Sequence, residues 1–407
     1  MTAPASQPLI FNPLDPAFRL DPYPVYERLR SEDRFHQSMF GAHVLTHYDD
    51  VMAVLRHPAA SSDQMKSTQY QQFVEAGLVE ARFDDGMRPF LFIDPPDHTR
   101  LRGLVQKAFT PKMVEALRPR VQAVVDGLLD QAAAAGSLEV VEGLAYPLPV
   151  VIICEMLGVP AADHEEFKGW SRELARSLDP DFGVDAAVLA ARQAAADAFV
   201  DYFKALIATR REHPRDDLLS ALIAAEEAGD RLNEEELLST LILLLVAGHE
   251  TTVNLIANGA LNLLRHPDEL ARLRTDPDGL ARSAVEEVLR FDPPVQMTIR
   301  VAADDIVLDG LTVKQGEQAV LLLAAANRDP EHFPDPNRFD AGRADNRHLA
   351  FSFGTHYCLG APLARLEGQV ALSSLARRFP HLAMVSPDVT YKENIVLRGL
   401  AELHVTV

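Results

Sequence analysis

The sequence predicts a mainly α-helical fold with small β-sheets, and three observations support that prediction. Residues 112 to about 232 follow helical spacing in successive segments. A longer helix is predicted from 233 to about 265. Strand signals are confined to short runs, such as a hairpin around Asp309–Gly310. No repeat or low-complexity linker divides the chain, so we expect a single domain over 1–407, with 1–20 as an extended N-terminal segment.

Composition limits the classes of protein to which the chain can belong. With 407 residues, of which 47% are hydrophobic and 24% charged, it can bury a large core. Its two cysteines, Cys154 and Cys358, exclude a disulfide framework and indicate a reducing compartment. We assign Cys154 to core filling, because it lies in an apolar run. A net charge of -20 argues against general nucleic-acid binding, which needs basic surface.

The sequence carries no targeting or membrane signal that we recognise. Residues 1–16 are polar and rich in proline, and no basic stretch with a long apolar run follows. The most apolar run, 241–247, is far shorter than the roughly 20 residues needed to span a bilayer. We therefore expect a soluble, cytoplasmic protein without membrane contact, and a monomer.

The first hundred residues combine short elements with a long irregular connection. A short helix is predicted over Pro24–Arg30, a hairpin around Gly41, and a helix from Tyr48 to His57. Residues 59–93 lack clear periodicity, and so long a connection is often functional. We expect it to line a pocket for an apolar ligand, since aromatic residues are scattered through it: Phe73, Phe83, Phe90 and Phe92.

A helix start at 94–97 places His98 and Arg102 one turn apart on one face. Both side chains can reach one anion, although surface charges are the common interpretation of such a pair. The helices that follow are broken at Gly136, Pro147, Gly158, Pro180 and Pro214 and form mostly scaffold. Between two of them, residues 179–185 contain Phe182 and are a candidate lid over the pocket.

The long helix carries an unusual polar insertion. Asn233 and Glu236 form a capping-box pattern at its start. Residues 247–252 read Ala-Gly-His-Glu-Thr-Thr within an otherwise apolar helix. A tolerated polar patch is the simple explanation, but the preceding residues look buried, and a buried acid is costly unless it is paired or functional. Proton delivery by Glu250 and Thr251 would justify it.

Glu287 and Arg290 lie at i, i+3 helical spacing, for which a surface salt bridge is the default interpretation. Their neighbours suggest more. Arg300 follows in an extended segment after Pro293 and Pro294 end the helix. Later in the chain, Arg338 is positioned to complete a network with Glu287.

Residues 351–360, Phe-Ser-Phe-Gly-Thr-His-Tyr-Cys-Leu-Gly, precede a helix predicted over 362–379. Gly354 and Gly360 bracket Cys358, allow a tight backbone and leave room for a flat ligand. The helix N-terminus would favour a thiolate, and Phe351 would cover the sulfur. A buried structural thiol is the alternative. With His356 as a donor to an acidic group, a haem bound through one cysteine thiolate fits these residues.

These motifs, in this order, closely resemble the cytochrome P-450 superfamily, particularly its soluble bacterial branch, over residues 90 to 370. The resemblance implies the P-450 fold, with haem between the long central helix and the cysteine loop. It implies Cys358 as the axial iron ligand, Glu250 and Thr251 as the proton-delivering acid and alcohol, and Thr252 as a helix residue beside the site. Residues expected around haem b are His98, Arg102, Ala247, Gly248, Arg300, Phe351, Gly354, His356 and Gly360, and the expected structural network is Glu287, Arg290 and Arg338.

The sequence departs from the family pattern at two positions. Ser352 stands where many relatives have a glycine, and Asn337 stands where an acidic residue is common. Neither change removes a ligand or a proton donor, so we expect slightly altered loop packing and retained chemistry.

The reaction implied by the resemblance is monooxygenation, in which O2 and two electrons from NAD(P)H oxidise a bound C–H bond. We expect an apolar substrate such as a terpenoid, steroid, polyketide or fatty acid. It would lie against Leu244, Ala247, Val295, Gln296, Ile395 and Val396. Each of these residues could equally be core rather than pocket wall.

Electrons must come from a separate protein, because the chain has no second domain or cysteine cluster. We expect a ferredoxin with its reductase, or a flavodoxin. The docking surface would lie near Arg100, Lys107, Arg347 and Arg365. A peroxide-driven peroxygenase and a non-catalytic haem-binding recruitment or sensor domain remain alternatives.

Overall fold

The computed structural model describes residues 9–79, 88–175, 179, 184–225 and 232–407. Within them the chain is mainly helical with small sheets, which confirms the predicted fold class. The helices are α1 (Pro16–Leu20), α2 (Tyr23–Glu32), α3 (Tyr48–Arg56), α4 (Thr68–Glu75), α5 (Asp97–Gln106), α6 (Pro111–Ala116), α7 (Arg118–Ala135), α8 (Pro147–Met156), α9 (His164–Ala175), α10 (Ala186–Glu212), α11 (Leu218–Ala225), α12 (Glu234–Arg265), α13 (Pro267–Thr275), α14 (Pro277–Phe291), α15 (Leu323–Ala326) and α16 (Ala361–Arg378).

The strands are short and form four sheets in the described part of the chain. The largest sheet has five strands in the order β1-β2-β8-β5-β3, and only its β2–β8 pair is parallel. The other sheets are β4-β12-β9, β10-β11 and β6-β7. The strands are β1 (Phe35–Gln37), β2 (His43–Leu45), β3 (Ala60–Ser61), β4 (Ser137–Glu139), β5 (Thr298–Ala302), β6 (Ile306–Leu308), β7 (Leu311–Val313), β8 (Gln318–Leu321), β9 (Ala383–Met384), β10 (Thr390–Tyr391), β11 (Leu400–Glu402) and β12 (His404–Thr406).

Helix α12 is the central element, and it begins where the sequence predicts. The Asn233 side chain accepts from the Glu236 N–H at 2.8 Å, and the Glu236 carboxylate accepts from the Asn233 N–H at 3.0 Å. This reciprocal cap satisfies two N–H groups that the first helical turn leaves free. The helix packs against α8, α9, α14 and α16. In the described part of the chain it is the one helix long and apolar enough to cross a membrane. However, 78% of its most apolar stretch is buried inside the protein, as in a core helix.

The N-terminal prediction is partly confirmed. Helix α2, the β1–β2 hairpin and α3 occur where expected, and Gly41 adopts a left-handed φ of 86° in the hairpin turn. Two expectations need correction. Residues 16–20 are helical rather than extended, and the connection predicted to be irregular contains β3 and α4. The Ser67 hydroxyl, which accepts from the Tyr70 N–H at 3.2 Å, caps α4. Phe83 lies outside the described residues.

The middle of the chain shows how its breaks work. Gly136, at a left-handed φ of 68°, ends α7, and the chain then enters β4 instead of another helix. Pro147 starts α8 rather than ending a helix, because proline at the first helical position removes an N–H that has no helical partner. The expected lid residues Pro180 and Phe182 lie outside the described residues. Gly310, with a φ of 94°, forms the predicted turn between β6 and β7.

Candidate active site

A large pocket lies between α12 and the cysteine loop, with a volume of about 560 Å³. One side is formed by Leu244, Ala247, Gly248 and Thr251 of α12. The facing side is formed by loop residues 350–352 and 356–360, which include Cys358. The pocket continues toward the N-terminal segment 11–14 and the β1–β2 turn, where Met39 and Phe40 are exposed at its rim. Two facing walls of this kind leave space for a flat cofactor with a substrate above it.

The loop around Cys358 is held by its own backbone. The Cys358 N–H donates to the Phe351 carbonyl at 2.9 Å. Gly354 has a left-handed φ of 73°, and a Cβ there would lie 2.9 Å from the Leu55 carbonyl, so only glycine fits. Ser352 also has a positive φ of 61°, which explains why glycine suits this position. Gly360 differs: its φ is -79°, and a Cβ would meet no protein atom within 4 Å, which leaves open space beside the loop.

Two opposing effects act on the Cys358 thiol, whose exposed surface faces the open pocket. Burial within the protein raises the pKa of the thiol. The backbone N–H groups of Gly360 and Ala361 and the guanidinium groups of Arg102 and Arg365 lower that pKa. The predicted help from the helix N-terminus is therefore present, but it does not outweigh burial. A metal cation on the sulfur would supply the missing stabilisation of the thiolate.

Three basic side chains, Arg102, Arg300 and His356, line one edge of the pocket, and His98 lies beside His356 outside the lining. The rings of His98 and His356 lie 4.1 Å apart, centroid to centroid. Both ring nitrogens of His98 are buried and have no hydrogen-bond partner among the described residues. Burial, reinforced by Arg102, lowers the pKa of His98 to about 4. Burial likewise lowers the pKa of Arg300 to about 10, and Asp94 is the carboxylate that opposes this shift.

This edge therefore gathers several donors, although Arg300 already donates to a nearby hydroxyl at 3.0 Å and to a backbone carbonyl at 2.8 Å. His356 has a pKa of about 3, lowered first by burial and then by His98 and Arg300. Arg102 donates one hydrogen bond to the Tyr357 carbonyl at 2.6 Å. Buried donors without acceptors are costly, and an anionic ligand would satisfy them. The donor set fits the two propionate groups of a haem whose iron lies at Cys358.

Glu250 and Thr251 are adjacent in sequence but face different surroundings. Thr251 lines the pocket, and its hydroxyl donates to the Ala247 carbonyl at 2.9 Å. Glu250 does not line the pocket, because consecutive residues on a helix point about 100° apart. The Glu250 carboxylate instead accepts from the Lys392 ammonium at 2.5 Å. Sequence reasoning did not anticipate Lys392, which lies 142 residues away in a hairpin without a motif.

A second buried acid lies beside this part of α12. Glu367 of α16 is 1% exposed, and burial raises its pKa well above the usual carboxyl value. The Thr252 hydroxyl opposes this shift and also donates to the Gly248 carbonyl at 3.3 Å. Burial therefore favours the protonated form of Glu367. No sequence signal distinguished it from the other charged residues of a helix that looked amphipathic.

The structural network contains a different second arginine from the one predicted. Glu287 pairs with Arg290 at 2.8 Å and with Arg343 at 3.1 Å, and the first two side chains are fully buried. The Arg338 side chain is exposed and contributes only its backbone carbonyl, which accepts from Arg290 at 3.1 Å. The sequence prediction chose the wrong arginine because this loop has no periodicity that would orient its side chains.

Most of the residues predicted to contact substrate lie around the pocket. Leu244, Ala247, Val295, Ile395 and Val396 line it. Gln296 does not: its side chain donates to the Pro293 carbonyl at 2.8 Å and accepts from the Tyr26 hydroxyl at 3.2 Å.

The four basic residues expected to receive an electron donor differ in their surroundings. Arg365 is bound to Glu286 at 2.6 Å, and Arg100 is bound to Glu236 at 2.5 Å. Lys107 is exposed, and the Arg347 side chain is 76% exposed beside an equally exposed Asp345. Only Lys107 and Arg347 therefore present charge well suited to an incoming protein.

Comparison with known proteins agrees with this geometry. A family model described as Cytochrome P450 matches residues 25–400. The chain is 44% identical to cytochrome P450 monooxygenase PikC of Streptomyces venezuelae, with 98% of this chain and 94% of PikC covered. It is similar in structure to ligand-free CYP164A2 of Mycobacterium smegmatis, with a TM-score of 0.89, 46% identity and coverage of 97% and 98%. It is also similar to myxobacterial CYP267B1 in complex with myristic acid, with a TM-score of 0.88, 42% identity and coverage of 96% and 98%.

Proposed function

Because this chain belongs to the cytochrome P450 family, we propose that it inserts one oxygen atom of O2 into a C–H bond of an apolar small molecule. Family membership makes it an oxidoreductase of the monooxygenase type. The observation that carries the finer proposal is the pocket itself. One wall holds a thiol and a set of buried basic groups, and the other holds a threonine on the central helix.

Different residues of the chain would bind different parts of haem b. Cys358 would bind the iron, and His98, Arg102, Arg300 and His356 would bind the propionates. When bound, haem supplies the oxidation chemistry, for which a thiolate ligand favours O–O cleavage. Gly360 leaves the loop side open to a flat group, since a Cβ there would meet nothing within 4 Å.

Thr251 would hold a proton at the distal side of the pocket. Its hydroxyl lines the cavity while donating to the Ala247 carbonyl, so the oxygen lone pairs remain available to accept from water or substrate. Glu250, one residue earlier and buried, would supply the proton from behind the pocket wall. The apolar lining would exclude bulk water and position the substrate.

The substrate class follows from the shape and chemistry of the cavity. Much of the pocket lining is apolar, with Leu244, Val295 and Ile395 among its residues. The cavity continues to a rim at Met39 and Phe40, so a long ligand can extend away from the cysteine loop. CYP267B1, described above, is a relative with a fatty acid in its complex. We favour an elongated apolar substrate, such as a fatty acid or a polyketide.

Electrons would reach this cytoplasmic enzyme from NAD(P)H through a ferredoxin and its reductase, or through a flavodoxin. Lys107 and Arg347 are exposed cations that would attract an acidic donor. Arg100 and Arg365, which were also expected on this surface, are paired with less exposed carboxylates, whereas the ion pair between Arg347 and Asp345 is largely exposed.

Incorporation of isotope-labelled O2 tests the proposal. The haem-loaded protein is first screened with fatty acids, polyketides, steroids and terpenoids for compounds that change the haem spectrum. A binding compound is then incubated with ferredoxin, reductase and NADPH under labelled O2. We expect one labelled oxygen atom in the product. Product formed only with hydrogen peroxide would contradict the O2-dependent reaction and favour a peroxygenase.

A further inference from the structure

We propose that Lys392 is a positioning residue that holds Glu250 and connects it to a solvent-facing cleft, so that protons reach the acid by a route separate from the substrate pocket. The proposal rests on the monooxygenase function proposed above, since that reaction consumes protons. Four features of the structure support it: an ion pair, a rigid hairpin, a second cleft and the charges around Glu250.

The ion pair is short and largely buried. The Lys392 ammonium lies 2.5 Å from the Glu250 carboxylate, and the two side chains are 23% and 5% exposed. The ammonium also lies 3.4 Å from the Asn254 side-chain oxygen, one helical turn after Glu250. A carboxylate buried this deeply is costly without a cation beside it. Lys392 therefore determines which direction the Glu250 carboxylate faces.

The backbone around Lys392 is fixed on both sides. Its N–H donates to the Gly399 carbonyl at 2.9 Å, directly after β10 pairs with β11. A Cβ on Gly399 would lie 1.8 Å from the Asn254 side-chain oxygen, so the hairpin lies directly against α12. Beyond Lys392, the Asp179 carboxylate accepts from the N–H groups of residues 395 and 396 at 3.0 and 2.8 Å. These contacts fix the backbone position from which the Lys392 side chain extends to Glu250.

Lys392 also lines a second, small cleft. Its volume of about 20 Å³ is enough for one water molecule. Lys392 and Asn394 line it, together with Tyr26 and Gln296, whose side chains are joined by a hydrogen bond of 3.2 Å. Neither Lys392 nor Glu250 lines the main pocket, although three residues line both cavities, so the cleft adjoins the pocket. Lys392 therefore contacts the acid and also lines this small cleft.

The remaining titratable groups around Glu250 do not replace the lysine. His249 lies 3.7 Å from the Glu250 carboxylate, but burial lowers its pKa and keeps it neutral. Its ring contacts the Ser171 hydroxyl at 2.8 Å and the Leu245 carbonyl at 3.0 Å. Tyr146, at the N-cap of α8, also stays neutral, because burial and Glu250 raise its pKa. Arg172 of α9, whose guanidinium lies 5.2 Å from the centre of the Tyr146 ring, lowers the pKa of both residues. Lys392 is thus the cation in direct contact with Glu250 among the described residues.

The proton balance of this route is simple. The Lys392 ammonium keeps its own proton and stabilises the Glu250 carboxylate after that acid has released its proton, and water entering from the cleft then returns one proton to Glu250. The net result is one proton moved from solvent to Glu250, and the lysine keeps its charge. Glu250 can then be reprotonated while substrate fills the main pocket.

The test compares Lys392→Met, Lys392→Arg and Glu250→Gln in the haem-loaded protein. We expect Lys392→Met to form several-fold less product per electron and to show a larger solvent isotope effect than wild type. Glu250→Gln should have the same two effects. The double variant should lose no more than either single one, and Lys392→Arg should recover most of the loss. Lys314→Met is the control, because it removes an exposed lysine paired with Asp305 at 2.8 Å.

A second measurement does not depend on turnover. In chemical denaturation, the midpoint shifts of Lys392→Met and Glu250→Gln should be clearly non-additive, since the two residues share one contact. Additive shifts, or Lys392→Met with wild-type coupling and isotope effect, would overturn the proposal. Failure of the proposed function would look different: wild-type protein would form no O2-dependent product, while the denaturation cycle would still show the ion pair.

Discussion

At the scale of single residues, Thr251 is the side chain that connects α12 to the chemistry of the pocket. It lines the cavity, whereas its neighbour Glu250 faces Lys392 behind the wall. We predict that Thr251→Ala will consume electrons at a rate near wild type but release more peroxide and several-fold less product, because the hydroxyl that holds the distal proton is gone. Product and peroxide per NADPH measure this effect. Thr251→Ser, which keeps the hydroxyl, should retain coupling, and wild-type coupling in Thr251→Ala would rule out the assigned role.

Glu367 leads to a prediction about stability and pH. Its pKa is raised by burial, so the folded state keeps a proton that the unfolded state releases above about pH 4.3. The free energy of unfolding contributed by this group therefore falls as pH rises above that value. We predict that Glu367→Gln, which cannot ionise, will be close to wild type at pH 4 and progressively more stable than wild type toward pH 7. Denaturant titrations across this range measure the difference. A difference that is independent of pH would contradict a neutral Glu367.

Sequence reasoning located residues that belong to compact motifs and missed residues that act across the fold. Cys358, His356 and Thr251 sit in short, unusual segments whose chemistry is visible locally. Lys392 and Arg343 reach their partners over 142 and 56 residues. No local pattern encodes such a contact, because it depends on how hairpins and loops pack against helices. Gln296 shows a different limit of sequence reasoning. It was predicted to line the pocket with its apolar neighbours, but its side chain bonds to Pro293 and Tyr26 instead.

At the scale of elements, the network below the cysteine loop joins α14 to the loop before residue 351. Glu287 binds Arg290 and Arg343, and its carboxylate also accepts from the Asp340 N–H at 2.9 Å. We predict that Arg343→Leu will lower the free energy of unfolding by on the order of 3 kcal/mol, because it removes a cation from a buried carboxylate. Arg338→Leu, at the exposed position chosen from sequence, should change it by about 0.5 kcal/mol or less. Denaturant unfolding measures both, and equal losses would contradict the assignment.

The elements that the sequence predicted well have local signals at their ends. The capping box at Asn233 and the turn at Gly310 each satisfy backbone geometry within a few residues. Strand β3 was not predicted, because two residues pair with β5 through contacts distant in sequence. Helix α4 was also missed, since its eight residues have no fully buried face to create a periodic pattern.

At the scale of the whole molecule, the acidic charge of -20 makes exposed cations such as Lys107 and Arg347 informative. We predict that Lys107→Glu and Arg347→Glu will slow reduction by an acidic ferredoxin several-fold at low ionic strength. The effect should shrink as salt is raised, because exposed charges are screened over about 8 Å at 0.15 M. Stopped-flow reduction of the haem-loaded protein measures the rate. Lys314→Glu makes the same change of charge at an exposed position after β7 and should have little effect on the reduction rate. Equal slowing by all three variants would contradict local docking.

The account of the whole molecule depends on one bond, between the Cys358 sulfur and a haem iron. The carbon monoxide complex of the reduced, haem-loaded protein reports that bond through the red-shifted Soret band of a thiolate ligand. We predict this band for wild type and for Cys154→Ser, whose thiol is buried in the core away from the pocket. Cys358→His should lose it. Absence of the band in folded, haem-loaded wild type, or its persistence in Cys358→His, would contradict the assignment of this chain as a haem-thiolate enzyme.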